Sequence, residues 1–338
     1  MTPQNGYDSI LGTWPLSLVG VMCTVKGFSV IEELRKVSIP KGTAVTIGVF
    51  DGVHLGHQSL LRRTMEEARS RGLLSAVLTF RNHPRTVLTP DFQPRYLMDL
   101  DHRLKAMKSL GLDRVVAITF TRAVSQLRAR EFVTLLKENL RMKVLVVGPD
   151  FALGSKREGD IAMLSELGGE MDFQVICMDF VQEGDQAVSS TVIRDALAQG
   201  DVARARSLLS RPFNLSGQVV VGEKRGRSLG FPTANLEVDA ERALPADGIY
   251  ATRARVKGAV MDSISYIGTN PTFDGVKHCI EVYIFDFDGD LYGQSLSVDF
   301  ITQVRGDARF SGPQELIDQM NRDVARAREV LAESYVNG

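Results

Sequence analysis

Cysteine is scarce in this 338-residue chain, and the three present, Cys23, Cys177 and Cys279, lie far apart with no CxxC pair. Neither a disulfide framework nor a cysteine zinc site is indicated, and a reducing cytoplasm is the expected compartment. An excess of charge is also missing: 40 Lys and Arg stand against 41 Asp and Glu, a formal net charge of −1. That balance gives no electrostatic footprint for nucleic acid or an anionic membrane, so neither is expected as a partner. Long hydrophobic runs are absent too. The modestly apolar stretch from Trp14 to Met22 is too short and interrupted to span a bilayer, and no Lys or Arg occurs among residues 1–25 to make a signal-peptide n-region. Residues 1–22 read as an appended extension, with Met22 an alternative start. No GxxxxGKS/T phosphate loop occurs, and no repeat or low-complexity tract. The length suits two domains.

What the chain does contain is a glycine- and histidine-bearing junction, GVFDGVHLGH from Gly48 to His57. Its approach, Thr43 to Phe50, is β-branched and apolar, as a strand buried on both faces would be. After it, Leu60, Leu61, Met65 and Ala68 recur at helical spacing and Gly72 stands at the C′ position, so His57 to Arg71 is predicted to be a helix. Free N–H groups and the positive helix end would face a ligand above the strand, and Gly48, Gly52 and Gly56 permit close approach. His54 and His57, three residues apart, point the same way and can donate hydrogen bonds to charge developing on phosphate oxygens.

Apolar and amphipathic segments alternate onward. Strands are expected over Leu74 to Phe80, Arg114 to Phe120, Lys143 to Gly148 and Phe173 to Phe180. Helices are expected from Asp99 to Leu110, from a Ser125 cap to about Leu140, near Ile161 to Leu167, and over Ser190 to Gln199 and Asp201 to Leu209. Repeated βα units argue for a parallel sheet with ligands at the carboxyl ends of its strands. Near residue 210 the pattern changes to five short alternating strands, Gly217 to Gly222, Gly248 to Val256, Ser263 to Gly268, His278 to Phe285 and Ser295 to Phe300. These suggest a small antiparallel barrel. Pro313 then opens a helix with an apolar stripe of Leu316, Met320, Val324 and Leu331.

Three further segments carry chemistry. Ser189 to Arg194 (SSTVIR) starts a helix with hydroxyls that can cap it or hold a phosphate, with a guanidinium one turn on. Gly222 to Leu229 is a glycine-bearing loop with Lys224, Arg225, Gly226 and Arg227, suited to wrapping a polyphosphate. In FPTAN (Phe231 to Asn235), Thr233 and Asn235 offer hard oxygens suited to Mg²⁺. Glu281, placed at a strand start, could accept a proton from an attacking hydroxyl.

The decamer resembles the HxGH signature of nucleotidyltransferases, in the form found in the bacterial bifunctional riboflavin kinase/FAD synthetase family. SSTVIR is similar to that family's SSTxIR motif, Gly148 to Gly154 to its GxDFxFG segment, FPTAN to its kinase signature, and GTNPTF (Gly268 to Phe273) and EVYIFDFDGDLYG (Glu281 to Gly293) to its later motifs. Val49 stands where the family has Asn, Asn82 departs from a PHP segment, and Leu153 replaces an aromatic. The resemblance implies a Rossmann-like nucleotidyltransferase domain over 23–210 and an antiparallel riboflavin-kinase barrel with a C-terminal helix over 211–338. It implies ATP binding by Gly48, Phe50, Asp51, Gly52, His54, His57, Ser190, Thr191 and Arg194, and a flavin or nucleotide contact from Asp150. It also implies a kinase phosphate loop with Gly222, Lys224 and Gly226, metal binding by Thr233 and Asn235, and Glu281 as general base. Riboflavin, ATP, FMN and FAD are the implied ligands, with Mg²⁺ accompanying ATP. A kinase with a decayed transferase half, or a non-catalytic flavin-binding regulatory module, remains as the alternative; Asp286, Asp288 and Asp290 are expected to be turn residues.

Overall fold

The computed structural model describes residues 30–222, 230–272 and 275–336. The expected extension over 1–22, with Met22, and the loop residues Lys224, Arg225, Gly226 and Arg227 lie outside these, as does Phe273. In the first half, β1 (Thr43–Ile47), β2 (Leu74–Phe80), β3 (Arg114–Ile118), β4 (Met142–Val147) and β5 (Gln174–Cys177) form one sheet in the order β3-β2-β1-β4-β5, with all neighbours parallel. All five residues of β1 are buried, which is why TAVTI is apolar without alternation. Helices α1 (Val30–Arg35), α2 (Leu55–Ser70), α3 (Arg85–Leu88), α4 (Leu100–Ser109), α5 (Arg122–Gln126), α6 (Ala129–Leu140) and α7 (Ile161–Met171) connect and cover the strands. Connections leave β1 in one direction and reach β4 in the other, so a crevice opens above the carboxyl ends of these two neighbours. The GVFDGVHLGH junction and the Gly148 to Asp160 loop flank it.

The helix expected to start at Ser125 is in fact two. Thr121 caps α5 by accepting from the Val124 N–H, Leu127 is extended, and Glu131 accepts the Arg128 N–H at 2.7 Å to start α6. Ser125 instead turns its hydroxyl back to the Arg122 carbonyl. The loop after β4 is likewise ordered, because Leu153 and Gly159 exchange backbone hydrogen bonds.

A hairpin of two-residue strands, β6 (Gln182–Glu183) and β7 (Gln186–Ala187), precedes α8 (Ser190–Ala198) and α9 (Val202–Leu209). The second half is a closed barrel, β10-β11-β12-β9-β8-β13, built from β8 (Phe213–Val220), β9 (Ala234–Glu237), β10 (Gly248–Val256), β11 (Ala259–Thr272), β12 (Gly275–Ile284) and β13 (Ser295–Gly306). It has six strands rather than the five expected: the added one is β9, which begins within the FPTAN segment and ends two residues beyond it. Strand β8 starts at Phe213, four residues before its expected start at Gly217, and β11 and β13 run past their expected ends.

One hydrophobic cluster joins Ile193, Leu197, Leu208 and Leu209 of α8 and α9 to barrel residues such as Phe213 and Phe300. The closing helix α10 (Pro313–Val336) buries Ala327 and Leu331 against Ala251, Phe285 and Ile301. Of the expected stripe, Leu331 is fully buried, whereas Leu316, Met320 and Val324 are half-buried. No helix among the described residues is long and apolar enough to cross a membrane.

Candidate active sites

The junction after β1 is a strained turn followed by a helix start. Phe50, Gly52 and Val53 all have positive φ (54°, 81° and 41°), which turns the chain sharply enough to stack His54 on His57. Their ring centroids are 3.6 Å apart at 19°. His54 is the N-cap of α2, its Nδ1 accepting the His57 N–H at 3.3 Å, so a neutral His54 carries its proton on Nε2. Phe50, itself buried, meets the His57 ring edge-on at 5.1 Å. Gly56 leaves the room for this stack: a Cβ there would lie 3.2 Å from the His54 ring.

Electrostatics keep both imidazoles neutral. Burial, then Arg211 and Arg194, bring His54 down to about 4, and burial, then His54 and Arg103, hold His57 well below its ordinary value. A neutral imidazole is a hydrogen-bond donor that adds no charge of its own. The cations around it supply the charge. Arg211 donates to the carbonyls of Gly52, Val53 and Leu209, and the buried Arg103 donates Nη2 to the Phe80 carbonyl at 2.6 Å. Among the described residues, Nε and Nη1 of Arg103 and Nδ1 of His57 have no hydrogen-bond partner. Buried polar atoms without a partner are costly in a finished core.

A pH effect on stability follows from the His54 shift. Its folded pKa of about 4 lies below the usual 6.5, so the unfolded chain binds the extra proton between these values. Stability is therefore full above about pH 6.5 and falls as pH drops toward 4. His83, lowered to about 4 mainly by burial, titrates in the same window. His54→Ala should flatten only part of the decline; urea unfolding midpoints at pH 7.5, 6 and 4.5 would check this.

Asp51 is 2 % exposed, and its carboxylate faces inward. It accepts the Leu97 N–H at 3.0 and 3.1 Å and the Met98 N–H at 3.3 Å, and pairs with Arg194. Burial pushes the Asp51 carboxyl up, while Arg194, the Leu97 N–H, Arg103 and the Met98 N–H favour its charged form. Arg194 also donates Nε to the Arg95 carbonyl at 2.7 Å. At the start of α8, Ser189 caps through Val192, Ser190 donates to the Asp51 carbonyl at 2.9 Å, and Thr191 is exposed. The SSTVIR segment and the junction therefore meet, although 139 residues separate Ser190 from Asp51. Asp150 is exposed at the end of β4, next to β1, with its carbonyl accepting from Arg157.

The three departures from the family pattern have local partners. Val49, partly buried, packs against the core cluster that contains Val45, Ile47 and Leu78 of the sheet. Asn82 bridges strand ends, donating Nδ2 to the Phe120 carbonyl and accepting its N–H, both at 2.9 Å. Leu153 is buried in the ordered loop after β4.

In the barrel, Glu281 is not at a strand start. It lies inside β12, opposite Tyr266 on β11 and Asn235 on β9. Thr233 donates Oγ1 to Glu281 Oε2 at 2.9 Å. Gly222 sits against Asn235 so closely that a Cβ would fall 2.2 Å from its Nδ2. Gly222, Thr233, Asn235 and Glu281 line a cavity of about 1610 Å³, together with His278 and Cys279; burial and the Glu281 charge push the Cys279 thiol up to about 11. A second cavity of about 570 Å³ shares Thr233 and is lined by Asp288, Asp290 and Tyr292. Asp286 is more than a turn residue, since it holds Arg328 of α10 through two contacts of 2.9 Å.

Residues 36–192 match the family model described as FAD synthetase, and residues 209–331 the one described as riboflavin kinase. The chain belongs to the bifunctional riboflavin kinase/FMN adenylyltransferase family. The protein of that description from Escherichia coli K12 is 38 % identical over 291 residues, covering 86 % of this chain and 93 % of that one. The Bacillus subtilis protein is 33 % identical over 290 residues, covering 84 % and 91 %. A crystal structure described as a macrolide-efflux protein from Streptococcus pneumoniae is similar with a TM-score of 0.81 and 31 % identity, covering 87 % of this chain and 96 % of that one. These matches do not favour a lone kinase or a non-catalytic flavin-binding module.

Sequence reading missed Arg103, Arg211 and Arg242. An arginine reads as a solvent-facing charge, and only its place on the inner side of α4, beside Met107, marks Arg103 as buried.

Proposed function

We propose that one chain performs two consecutive ATP-dependent steps, with the barrel half (211–338) making FMN and the sheet half (23–210) making FAD. What supports this reading is that a phosphate-type site is assembled in each half: stacked neutral histidines at a helix start, and the Thr233, Asn235 and Glu281 group. In the first step Glu281 accepts the proton of the ribityl hydroxyl of riboflavin as that oxygen attacks the γ-phosphorus of ATP, releasing ADP. The oxygens of Thr233 and Asn235, beside a carboxylate and with no cysteine or histidine required, suit a hard cation, and we assign Mg²⁺ to them; when bound it would neutralise phosphate charge. We assign binding of the ATP phosphates in this half to Gly222, with Lys224 and Gly226 that follow it in the sequence.

In the second step the FMN phosphate attacks the α-phosphorus of ATP, and pyrophosphate leaves. His54 and His57 donate hydrogen bonds to charge developing on the phosphate oxygens. Gly48 and Gly52 allow the backbone to approach, Phe50 backs His57, Asp51 orients Arg194, and Arg194 with Ser190 and Thr191 receives the phosphates. Asp150 contributes to the flavin and nucleotide pocket. The neutral charge balance fits small-molecule substrates, and the free Cys177 and Cys279 fit a cytoplasmic setting.

A chromatographic time course with riboflavin, ATP and Mg²⁺ tests the proposal: FMN should appear first and FAD after it. FMN alone would rule out the second step, and neither product would rule out both. In the same assay Gly222→Ala should slow FMN formation about tenfold by displacing the Asn235 amide, an order of magnitude suited to a small misplacement of a positioning group. Conversion of supplied FMN to FAD should be unchanged.

A further inference from the structure

The segment from Arg95 to Met98 is gripped from both halves of the molecule. On one side it serves the sheet site, where the Leu97 and Met98 N–H groups hold Asp51 and the Arg95 carbonyl holds Arg194. On the other side stands Arg242, only 7 % exposed, just ahead of β10. It donates Nε to the Tyr96 carbonyl at 3.1 Å, and Nη2 to the Leu97 carbonyl at 3.0 Å and the Asn214 carbonyl at 2.8 Å; its Nη1 is 3.5 Å from Asp99. Backbone bonds from Tyr96 N to Glu241 O (2.7 Å) and from Ala243 N to Tyr96 O (2.9 Å) pair the segment with the barrel as a one-residue parallel bridge.

The two grips act on the same rigid units. The Tyr96 carbonyl and the Leu97 N–H belong to one peptide plane, and the Leu97 carbonyl and the Met98 N–H to the next. Arg242 therefore holds the far ends of the two planes whose near ends hold the Asp51 carboxylate. Turning either plane to release one group releases the other. We propose that Arg242, a barrel residue, is a positioning residue for adenylyl transfer, acting through the peptide planes at 96–98, then Asp51, on Arg194. The planar guanidinium suits this because one rigid fork reaches several carbonyls, which an ammonium does not reproduce. This inference rests on the reading that the Asp51 and Arg194 site carries adenylyl transfer.

The test is FAD formation from supplied FMN and ATP by the full chain. Arg242→Met keeps the aliphatic bulk and the backbone bridge but removes the donors. It should lower kcat about tenfold or more, since a displacement of about 1 Å far from the reacting atoms costs up to about 100-fold. Arg242→Lys should recover only part of this. The decisive measurement is a double-mutant cycle with Asp51→Asn: if Arg242 acts through Asp51, adding Arg242→Met to that variant should cost less than threefold more. Losses that multiply would show that Arg242 acts by another route and would overturn the relay. So would wild-type FAD formation by a folded Arg242→Met protein. If Asp51→Asn alone left FAD formation intact, the site reading would fall, and the relay with it. If Asp51→Asn is damaging while Arg242→Met is harmless, only the relay falls.

Discussion

His57→Ala is expected to lower FAD formation from supplied FMN about 10²–10³-fold, the usual consequence of removing one donor aimed at developing charge. The change is local. The backbone N–H of residue 57 that caps α2 on His54 Nδ1 remains, so the helix start survives. What disappears is one face of the stacked imidazole pair and the ring that Phe50 supports. Because burial holds His57 neutral, the loss is of a hydrogen-bond donor and not of a charge. The effect should therefore appear in kcat and remain similar across neutral pH. Riboflavin phosphorylation, whose residues lie in the barrel, should continue. If both activities fell together in a natively folded variant, the assignment of one step to each half would be wrong.

Glu281→Ala should have the converse effect, reducing FMN formation about 10²–10⁴-fold, the range for a positioned general base, while supplied FMN is still converted to FAD. Glu281 is held in place from three directions: the β12 backbone, the register with Asn235 and Tyr266, and the hydroxyl of Thr233. Glu281→Gln separates two roles, because the amide keeps the shape and the contact to Thr233 but cannot take a proton at neutral pH. Equal loss in both variants indicates a base; retained phosphorylation in Glu281→Gln would reduce the residue to an anchor for Thr233.

Legibility in the sequence followed the range of the forces involved. The ends of β2 were read correctly, since Leu74 to Phe80 is a mostly apolar run broken only by the small polar residues Ser75 and Thr79, and Asp99 and Gly111 bracket α4 by local capping chemistry. The break between α5 and α6 was missed because Leu127 carries no breaker signal; the helix yields there to an Arg128 and Glu131 capping arrangement. Strand β9 was missed because its four residues follow Pro232 and their pairing comes from β8 and β12. At the sites, His54 and His57 were legible because adjacent residues of one turn make the stack. The meeting of Ser190 and Arg194 with Asp51 was suggested only by family resemblance. Nothing local marks Leu97, Met98 or Arg242, whose roles arise when two distant segments pair edge to edge.

The apolar seam between α8, α9 and the barrel gives the molecule a shared keel. Ile193 lies between Ser190 and Arg194 of α8, yet its side chain belongs to the same oily interior as Phe300 of the barrel. A chain cut at residue 210 would carry this helix pair away with a bare greasy flank. A cut along the boundary of the two chemistries would thus sever a common interior.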